Sequence, residues 1–370
     1  MPAELPATVI QFGTGKFLRA FADLFVHELN QTRRPAGQVV VVQSTGSQRA
    51  AQFNRQGGRF HVAVRGLSAG QVVDQQVEVQ CVARALAAQD EWQEVLQQAR
   101  SADLRAVVSN VTEAGYALAD ADRPDDRPPR SFPAKLLELL RARCEADLPG
   151  LAILPCELLE SNAQRLRELV VEQARRWDYR PSLIDWLASA CRWHNTLVDR
   201  IVAAPTPDEP LAQDPLAAVA EPFALWAIEG PLAWRELLAH RSVVRVDDVR
   251  PYSVRKVRIL NGAHTALVAK ALPLGFSTVR QAVDDAQIGR WLERLMMEEI
   301  VPVLEDRVQA PAEFARECLN RFRNPRIEHR LADIALHHEV KLKTRLAPTV
   351  AEYREKFGRE PRLLGEIVPG

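Results

Sequence analysis

The segment Thr8-Val9-Ile10-Gln11-Phe12-Gly13-Thr14-Gly15, followed by residues 17–29, narrows the possible folds more than any other part of the chain. Five residues of mostly apolar strand character meet a Gly-x-Gly turn, and the next thirteen carry apolar side chains at helical spacing: Leu18, Phe21, Leu24, Phe25 and Leu29. Strand, glycine turn and helix make one βα unit. Glycine at 13 lets the chain reverse, and glycine at 15 lets backbone approach a pyrophosphate. The helix start beyond them offers unpaired N–H groups to anionic oxygens. The third glycine of the common dinucleotide fingerprint is replaced by Leu18. Phe12, Gly13, Gly15 and Phe17 are the cofactor residues expected from this unit.

The pattern continues as α/β. Val39-Val40-Val41-Val42-Gln43 reads as a buried parallel strand, whose end would normally carry an acidic residue for the adenosine ribose. Gln43-Ser44-Thr45-Gly46 stands there instead, with Arg49 behind it, so the turn itself leaves NAD and NADP both open. Residues 60–64 and 72–79 predict a hairpin that decorates the sheet, turning at Leu67-Ser-Ala-Gly70. A helix over 92–99 and a strand over 106–110 follow, which puts Asn110 and Thr112 at the carboxyl edge as candidate cofactor contacts. Residues 120–130, dense in Asp, Arg and Pro, predict an exposed loop. A helix over 132–142 and a strand over 151–155 lead to Cys156-Glu157, and Asn162 opens the next helical region. Residues 203–215 read as a proline-rich, acidic linker or surface loop, and strand-like runs at 222–228 and 243–246 close the first domain, taken as 1–250. From Lys256 onward the periodicity is helical: 263–272, 279–286, 287–303, 312–321, 327–336 and 340–346. The fold class is therefore a Rossmann-type N-terminal domain followed by a mainly α-helical C-terminal domain, 251–370.

Lys plus Arg and Asp plus Glu are both 48, so the formal net charge is zero and no global field draws the chain to nucleic acid or to an acidic membrane. Five scattered cysteines without a CxxC pair suit neither a disulfide framework nor a zinc cluster, and fit a reducing compartment. No apolar run approaches the ~18 residues of a membrane span. The expected protein is cytoplasmic, without nucleic-acid or membrane partners and without a metal, and its oligomeric state is open. His337-His338-Glu339 does not change this, because neighbouring helical residues diverge.

The chemistry concentrates in Lys256-Val-Arg-Ile-Leu-Asn261-Gly-Ala-His264. At 100° per residue Lys256, Asn261 and His264 fall within about 140° of one another, so one helix face presents all three. An apolar surround favours a neutral lysine and strengthens hydrogen bonds, which suits proton transfer by the amine and oxyanion stabilisation by the amide and imidazole.

This run resembles the Lys-x4-Asn-x2-His signature of the long-chain mannitol dehydrogenase family, and is most similar to its tagaturonate-reducing (altronate-oxidising) branch. Further segments in the same order carry the resemblance: Gln11-Phe-Gly-Thr-Gly-Lys-Phe-Leu-Arg-Ala-Phe21, Ser109-Asn-Val-Thr-Glu-Ala-Gly115, Arg130-Ser-Phe-Pro-Ala-Lys135, Pro155-Cys-Glu-Leu158, Asn195-Thr-Leu-Val-Asp-Arg-Ile201, Glu221-Pro-Phe-Ala-Leu-Trp-Ala-Ile-Glu-Gly230 and Arg321-Phe-Arg-Asn-Pro325. It spans nearly the whole chain. It implies NAD as cofactor, a hexuronate substrate, and a site in the cleft between the two domains. Lys256, Asn261 and His264 would be catalytic, with Asp199, Arg321, Asn324 and His329 near the substrate. An arginine of the Arg321-Phe-Arg323 turn could clamp a carboxylate through its planar fork. The implied reaction is the reversible reduction of tagaturonate to altronate. Fructuronate or mannitol chemistry on the same scaffold is the alternative, and a catalytically silent dinucleotide-binding sensor or assembly protein is the alternative of another class. Two departures stand out. Leu158 occupies the place of an oxyanion-assisting Asn in mannitol dehydrogenases, and similar proteins carry further helices after the region of Tyr353, so that the second domain is expected to be shortened.

Overall fold

The computed structural model describes residues 5–68, 71–111, 115–232 and 234–368. Thirteen strands lie among them: β1 (Ala7–Phe12), β2 (Gln38–Gln43), β3 (Phe60–Ser68), β4 (Gln71–Val79), β5 (Val82–Ala87), β6 (Ala106–Ser109) and β7 (Ala152–Pro155) come first. They are followed by β8 (Arg192–Trp193), β9 (Thr196–Asp199), β10 (Val202–Ala203), β11 (Ala218–Ala220), β12 (Leu225–Glu229) and β13 (Val243–Val246). Six of them form a parallel sheet in the order β5-β2-β1-β6-β7-β8. With the β3–β4 hairpin set aside, this is the doubly wound order 3-2-1-4-5-6, whose direction reverses between β1 and β6. The run of valines in β2 follows from this position, since a central parallel strand is covered on both faces.

Compactness divides the chain into two units: Val64–Asp74 groups with everything described from Arg250 onward, and the rest, up to Val249, forms the other. In the first unit helices Trp92–Ala99, Phe132–Glu145, Asn162–Arg176 and Pro181–Ser189 build one core with the sheet, around Ile10, Phe12, Val40, Val107, Leu136 and Ile153. The second unit is mainly helical, with its own core of Ile259, Leu267, Leu292, Leu295, Leu304 and Leu346 among others. No helix of the described residues is long and apolar enough to cross a membrane.

Several expectations are corrected here. The hairpin does not decorate the parallel sheet; it joins β10 and β11 in a separate sheet of order β10-β11-β3-β4, while β9, β12 and β13 form a third. Residues 120–130 are not simply a solvated loop, because Asp122 is buried and accepts hydrogen bonds from Arg130 N (2.6 Å), Ser131 N (3.0 Å) and Ser131 Oγ (2.6 Å). Of the two readings of the proline-rich 203–215 segment, the surface loop holds and the linker does not, because the segment is pinned. Asp214 accepts from Gln56 Nε2 (3.0 Å) and His61 N (2.8 Å), and Leu211 is buried. The helix expected over 327–336 shrinks to Leu331–Ala335, since a bridge between Thr278 and Arg330 holds the preceding residues extended: Val279 N donates to His329 O (2.9 Å) and Leu331 N to Ser277 O (3.0 Å).

Candidate active site

At the switch point of the parallel sheet, β1 ends in Gly13 and β6 in Asn110. Gly13 takes φ 127°, a conformation that L side chains rarely adopt, and a Cβ there would lie 2.9 Å from the Asn110 carbonyl oxygen and 3.2 Å from Leu18 Cδ1. Its glycine is thus required by the fold, and Leu18, fully buried, fills the space that a third glycine would leave. Gly15 is different. It has ordinary extended geometry, φ −68° and ψ 157°, and no atom lies within 4 Å of a Cβ built there. Nothing inside the protein demands glycine at 15, and the open space there leaves room for an anion to approach the following helix start. The turn lines a cleft of about 580 Å³ with Lys16 and Arg49 on its rim. Arg19, buried, holds the turn in place by donating to the Thr14 carbonyl and to Leu216 O (2.7 Å), and burial lowers its guanidinium to about 10. These residues fit a dinucleotide.

The other expected cofactor residues divide. Phe12 is completely buried, its ring edge-on to Phe132 at 5.2 Å, so its side chain belongs to the core and only its backbone reaches the switch point. Phe17 is half-buried and stacks on Phe21 at 4.9 Å. Asn110 donates from Nδ2 to Cys156 O (2.9 Å), which ties the ends of β6 and β7 together. Thr112 lies outside the described residues. Gln43, where an acidic ribose ligand would stand, accepts from Ala50 N (2.8 Å) and braces the helix Gln48–Arg55. Glu157 accepts from Val111 N (2.9 Å), Ser109 Oγ (3.1 Å) and Tyr116 Oη (3.1 Å). Burial raises its pKa, which those hydrogen bonds only partly offset. It is an anchor for the strand ends. Leu158 beside it is 45% exposed and offers no oxyanion donor. Asp199, 2% exposed in β9 opposite Leu225, is in the first unit, while the other three expected substrate residues are in the second.

In the second unit Lys256–Asn261 is a π-helical turn that runs straight into the α-helix Gly262–Ala271. This changes the geometry expected from a uniform 100° step. An i→i+5 turn places Asn261 nearly above Lys256, where an α-helix would separate them by about 140°. Such single turns concentrate at functional positions in helices. The turn is locked by Arg258, whose Nε donates to Thr349 Oγ1 (2.7 Å) and whose Nη2 meets Glu352, and by buried Ile259 and Leu260.

Lys256 is 7% and His264 6% exposed; Asn261 is half-buried. The His264 ring packs on Phe322 at 4.2 Å and meets the His329 ring edge-on at 4.8 Å. Burial holds its pKa well below the ordinary range, and positive charge on His329, Arg321, Arg345 and Lys256 acts in the same direction. His264 is therefore neutral at physiological pH. Among the described residues its Nε2 is buried without a hydrogen-bond partner, a condition that costs about 1–3 kcal/mol in a folded protein unless a water or a ligand supplies one.

Of the expected substrate residues, Arg321 is buried and His329 half-buried, both beside His264. Arg323 is exposed. Asn324 is a structural residue. Its Nδ2 donates to Arg65 O (2.9 Å) and its Oδ1 accepts from Arg326 N (3.0 Å), which fastens the hairpin tip to the turn after Phe322. Arg345 was not anticipated. It sits on another π-turn, Leu342–Leu346, and donates to Thr265 Oγ1 (3.4 Å). The only trace of it in the sequence is the alternating basic run Lys341, Lys343, Arg345.

A parallel sheet of this order with a glycine turn at its switch point, and a helical unit carrying lysine, amide and neutral imidazole on one face, define an oxidoreductase acting on CH–OH groups. The chain belongs to the mannitol dehydrogenase family: the Rossmann domain of that family matches residues 7–238 and its C-terminal domain residues 248–368. It is 38% identical over 378 residues to the altronate oxidoreductase of Bacillus subtilis (strain 168), covering 98% of this chain and 78% of that protein. It is 40% identical over 372 residues to that of Yersinia pestis, covering 96% and 77%. In fold it is similar to the Pseudomonas fluorescens mannitol 2-dehydrogenase ternary complex with NAD and D-mannitol, with a TM-score of 0.81 at 21% identity over 99% of this chain and 78% of that one. Substrate-free D-sorbitol dehydrogenase gives a TM-score of 0.79 at 22% identity over 95% and 77%.

Proposed function

We propose that this protein catalyses the NAD-dependent, reversible reduction of tagaturonate to altronate. The buried, neutral His264 with an unpartnered Nε2, set among Lys256, Arg321 and Arg345, is the observation that carries this reading. A neutral polyol needs donors for its oxygens; a basic surround is suited in addition to an acid group. The relatives named altronate oxidoreductase, 38–40% identical over nearly the whole chain, support the same substrate class.

In the oxidative direction neutral Lys256 accepts the hydroxyl proton of the substrate. The oxygen gains charge as that proton leaves, and Asn261 Nδ2 donates to it together with the Nε2–H of neutral His264. NAD bound at the glycine turn would supply the acceptor for the hydride of the carbinol carbon. In the reverse direction the Lys256 ammonium returns the proton to the oxygen. Arg321 holds the substrate carboxylate as a charge-assisted pair. Gly13, Gly15 and the start of the helix at Lys16 would hold the NAD pyrophosphate.

The test is a scan of purified protein with NADH and with NADPH against tagaturonate, fructuronate and fructose, following loss of the reduced nicotinamide. The expected result is turnover with NADH and a preference for tagaturonate. Preference for fructuronate or fructose would replace the substrate, and tight cofactor binding without turnover on any of them would point to a silent dinucleotide-binding protein.

A further inference from the structure

Behind the glycine turn lies a buried pair that the proposed mechanism does not use. Gln11, in β1, and Asp23, at the end of the π-turn Arg19–Asp23, are both completely buried. The Gln11 amide bridges the turn and the acid: Nε2 donates to Gly13 O (3.2 Å) and to Asp23 Oδ2 (3.3 Å). In a trans peptide the N–H opposes the carbonyl, so a Gly13 carbonyl held toward Gln11 aims the Thr14 N–H away from it. Thr14 lines the cleft of about 580 Å³ together with Gly15 and Lys16. The next carbonyl, that of Thr14, is held by Arg19, which turns its guanidinium to this oxygen and to Leu216 O. Two oxygens of the pair, Gln11 Oε1 and Asp23 Oδ1, are buried without a donor among the described residues; a proton on the carboxyl supplies a donor while it removes the buried charge. Burial raises the Asp23 pKa from 3.8 to about 7, against the opposing effects of the Gln11 hydrogen bond and the Arg19 charge.

We infer that Asp23 is a positioning residue of the coenzyme turn: as a neutral acid it secures, through Gln11, the peptide orientation that receives the pyrophosphate, and as a carboxylate it weakens dinucleotide binding. This rests on the dinucleotide placed at the glycine turn in the reading above and is independent of the substrate. Two effects act in one direction. A negative charge buried behind the turn repels the anionic pyrophosphate and offsets the Arg19 charge beside it. A carboxylate is also the stronger acceptor, and draws the Gln11 amide from the Gly13 carbonyl. Binding therefore favours the protonated form, and NADH affinity falls as pH rises through about 7. Around Asp23 stand Arg19 on the same turn, His27 on the helix that follows, Arg200, whose Nη1 donates to Ala20 O (2.7 Å), and Cys81, whose Sγ donates to Asp23 O (3.0 Å). Burial pushes the Cys81 thiol well above its ordinary range and leaves Arg19 and Arg200 at about 10, so none of these titrates near neutrality. His27, lowered by burial, is the group to be separated from Asp23.

The test is the NADH dissociation constant of the purified protein, taken from nucleotide fluorescence between about pH 6 and about pH 8.5, for the wild type, Asp23→Asn and Gln11→Leu, with melting temperatures recorded alongside. Wild-type affinity should fall by about three- to tenfold across this range. Asp23→Asn, neutral throughout, should bind tightly at both ends with less than about a twofold change. Gln11→Leu removes the hydrogen bond that favours the carboxylate, so the midpoint of the profile should move to higher pH. It also frees the Gly13 carbonyl, so affinity at about pH 6 should fall by roughly fivefold or more. A flat wild-type profile, or the same slope in Asp23→Asn, would overturn the inference, the second result assigning the titration to His27. Wild-type affinity and midpoint in Gln11→Leu would overturn it as well, and this variant decides if Asp23→Asn fails to fold. NADH affinity that follows Asp23, without reduction of tagaturonate, would overturn the proposed reaction alone.

Discussion

At the scale of single residues, the roles proposed for Lys256 and Asn261 are separable. Lys256→Ala removes the proton acceptor, so turnover should fall by roughly 10²–10⁴, the usual share of a positioned acid–base group. Asn261→Ala removes one oxyanion donor and should cost about 10²–10³. Quenching of nucleotide fluorescence should report NADH binding near the wild-type level in both, because the dinucleotide residues are in the other unit. Unchanged turnover in Lys256→Ala would remove it from the mechanism, and loss of folding in Asn261→Ala would make that amide structural. His264 illustrates why context decides a role. A lone imidazole in a helix is more often a satisfied core group, and here the unpartnered Nε2 and the surrounding cations argue otherwise.

Among elements, the two glycines of the β1–helix turn make opposite demands. Gly13→Ala places a Cβ in a left-handed conformation against the Asn110 carbonyl, and should cost about 2 kcal/mol or more in urea unfolding. Gly15→Ala meets no atom and no unfavourable φ, so it should leave stability unchanged or raise it by up to ~1 kcal/mol. It should nonetheless weaken NADH binding, since the added methyl occupies the approach to the helix start. If Gly15→Ala binds NADH normally, the pyrophosphate does not pass that position. Among the described residues π-turns occur at Arg19–Asp23, Lys256–Asn261, Leu295–Ile300 and Leu342–Leu346, and the second carries the proposed catalytic lysine and amide.

For the whole molecule, buried ionisable groups set how stability depends on pH. Asp23 is fully buried; among the described residues Oδ1 has no hydrogen-bond partner and Oδ2 accepts from Gln11 Nε2 (3.3 Å), and burial raises its pKa from 3.8 to about 7. The folded state therefore holds a proton that the unfolded chain has released between those values. Stability from this group is complete below about pH 4 and is lost as pH rises through about 7, by at most roughly 4 kcal/mol. His264 works in the opposite sense: it stays neutral when folded, while the unfolded chain takes up a proton below about 6.5, so stability falls as the pH drops. The two partly cancel between about pH 4 and 6.5. Asp23→Asn keeps an oxygen for Gln11 and removes the charge. Its melting temperature should exceed that of the wild type at pH 8, and it should lose stability more steeply on acidification. A variant no more stable than wild type at pH 8 would show that Asp23 is not held protonated.

Local patterns settled much of this protein. The glycine turn, the valine-rich β2 and the apolar helical periods are short-range signals, and they foretold the parallel sheet and the helical second half. Recognition of the motifs then led to the family. Tertiary structure decided what depends on residues distant in sequence. The Phe12 side chain lies in the core, Asn324 fastens the hairpin tip, and the acidic loop and proline-rich segment are anchored through Asp122 and Asp214. A pattern read at 100° per residue also cannot register a π-turn, because the extra residue is accommodated by packing around it. Arg345 lies about eighty residues beyond His264, and only the close approach of two helices at Gly262 makes them neighbours. Periodicity tells which face of an element is buried; which faces meet, and which polar atoms are left for a ligand, is fixed by the packing of the complete chain.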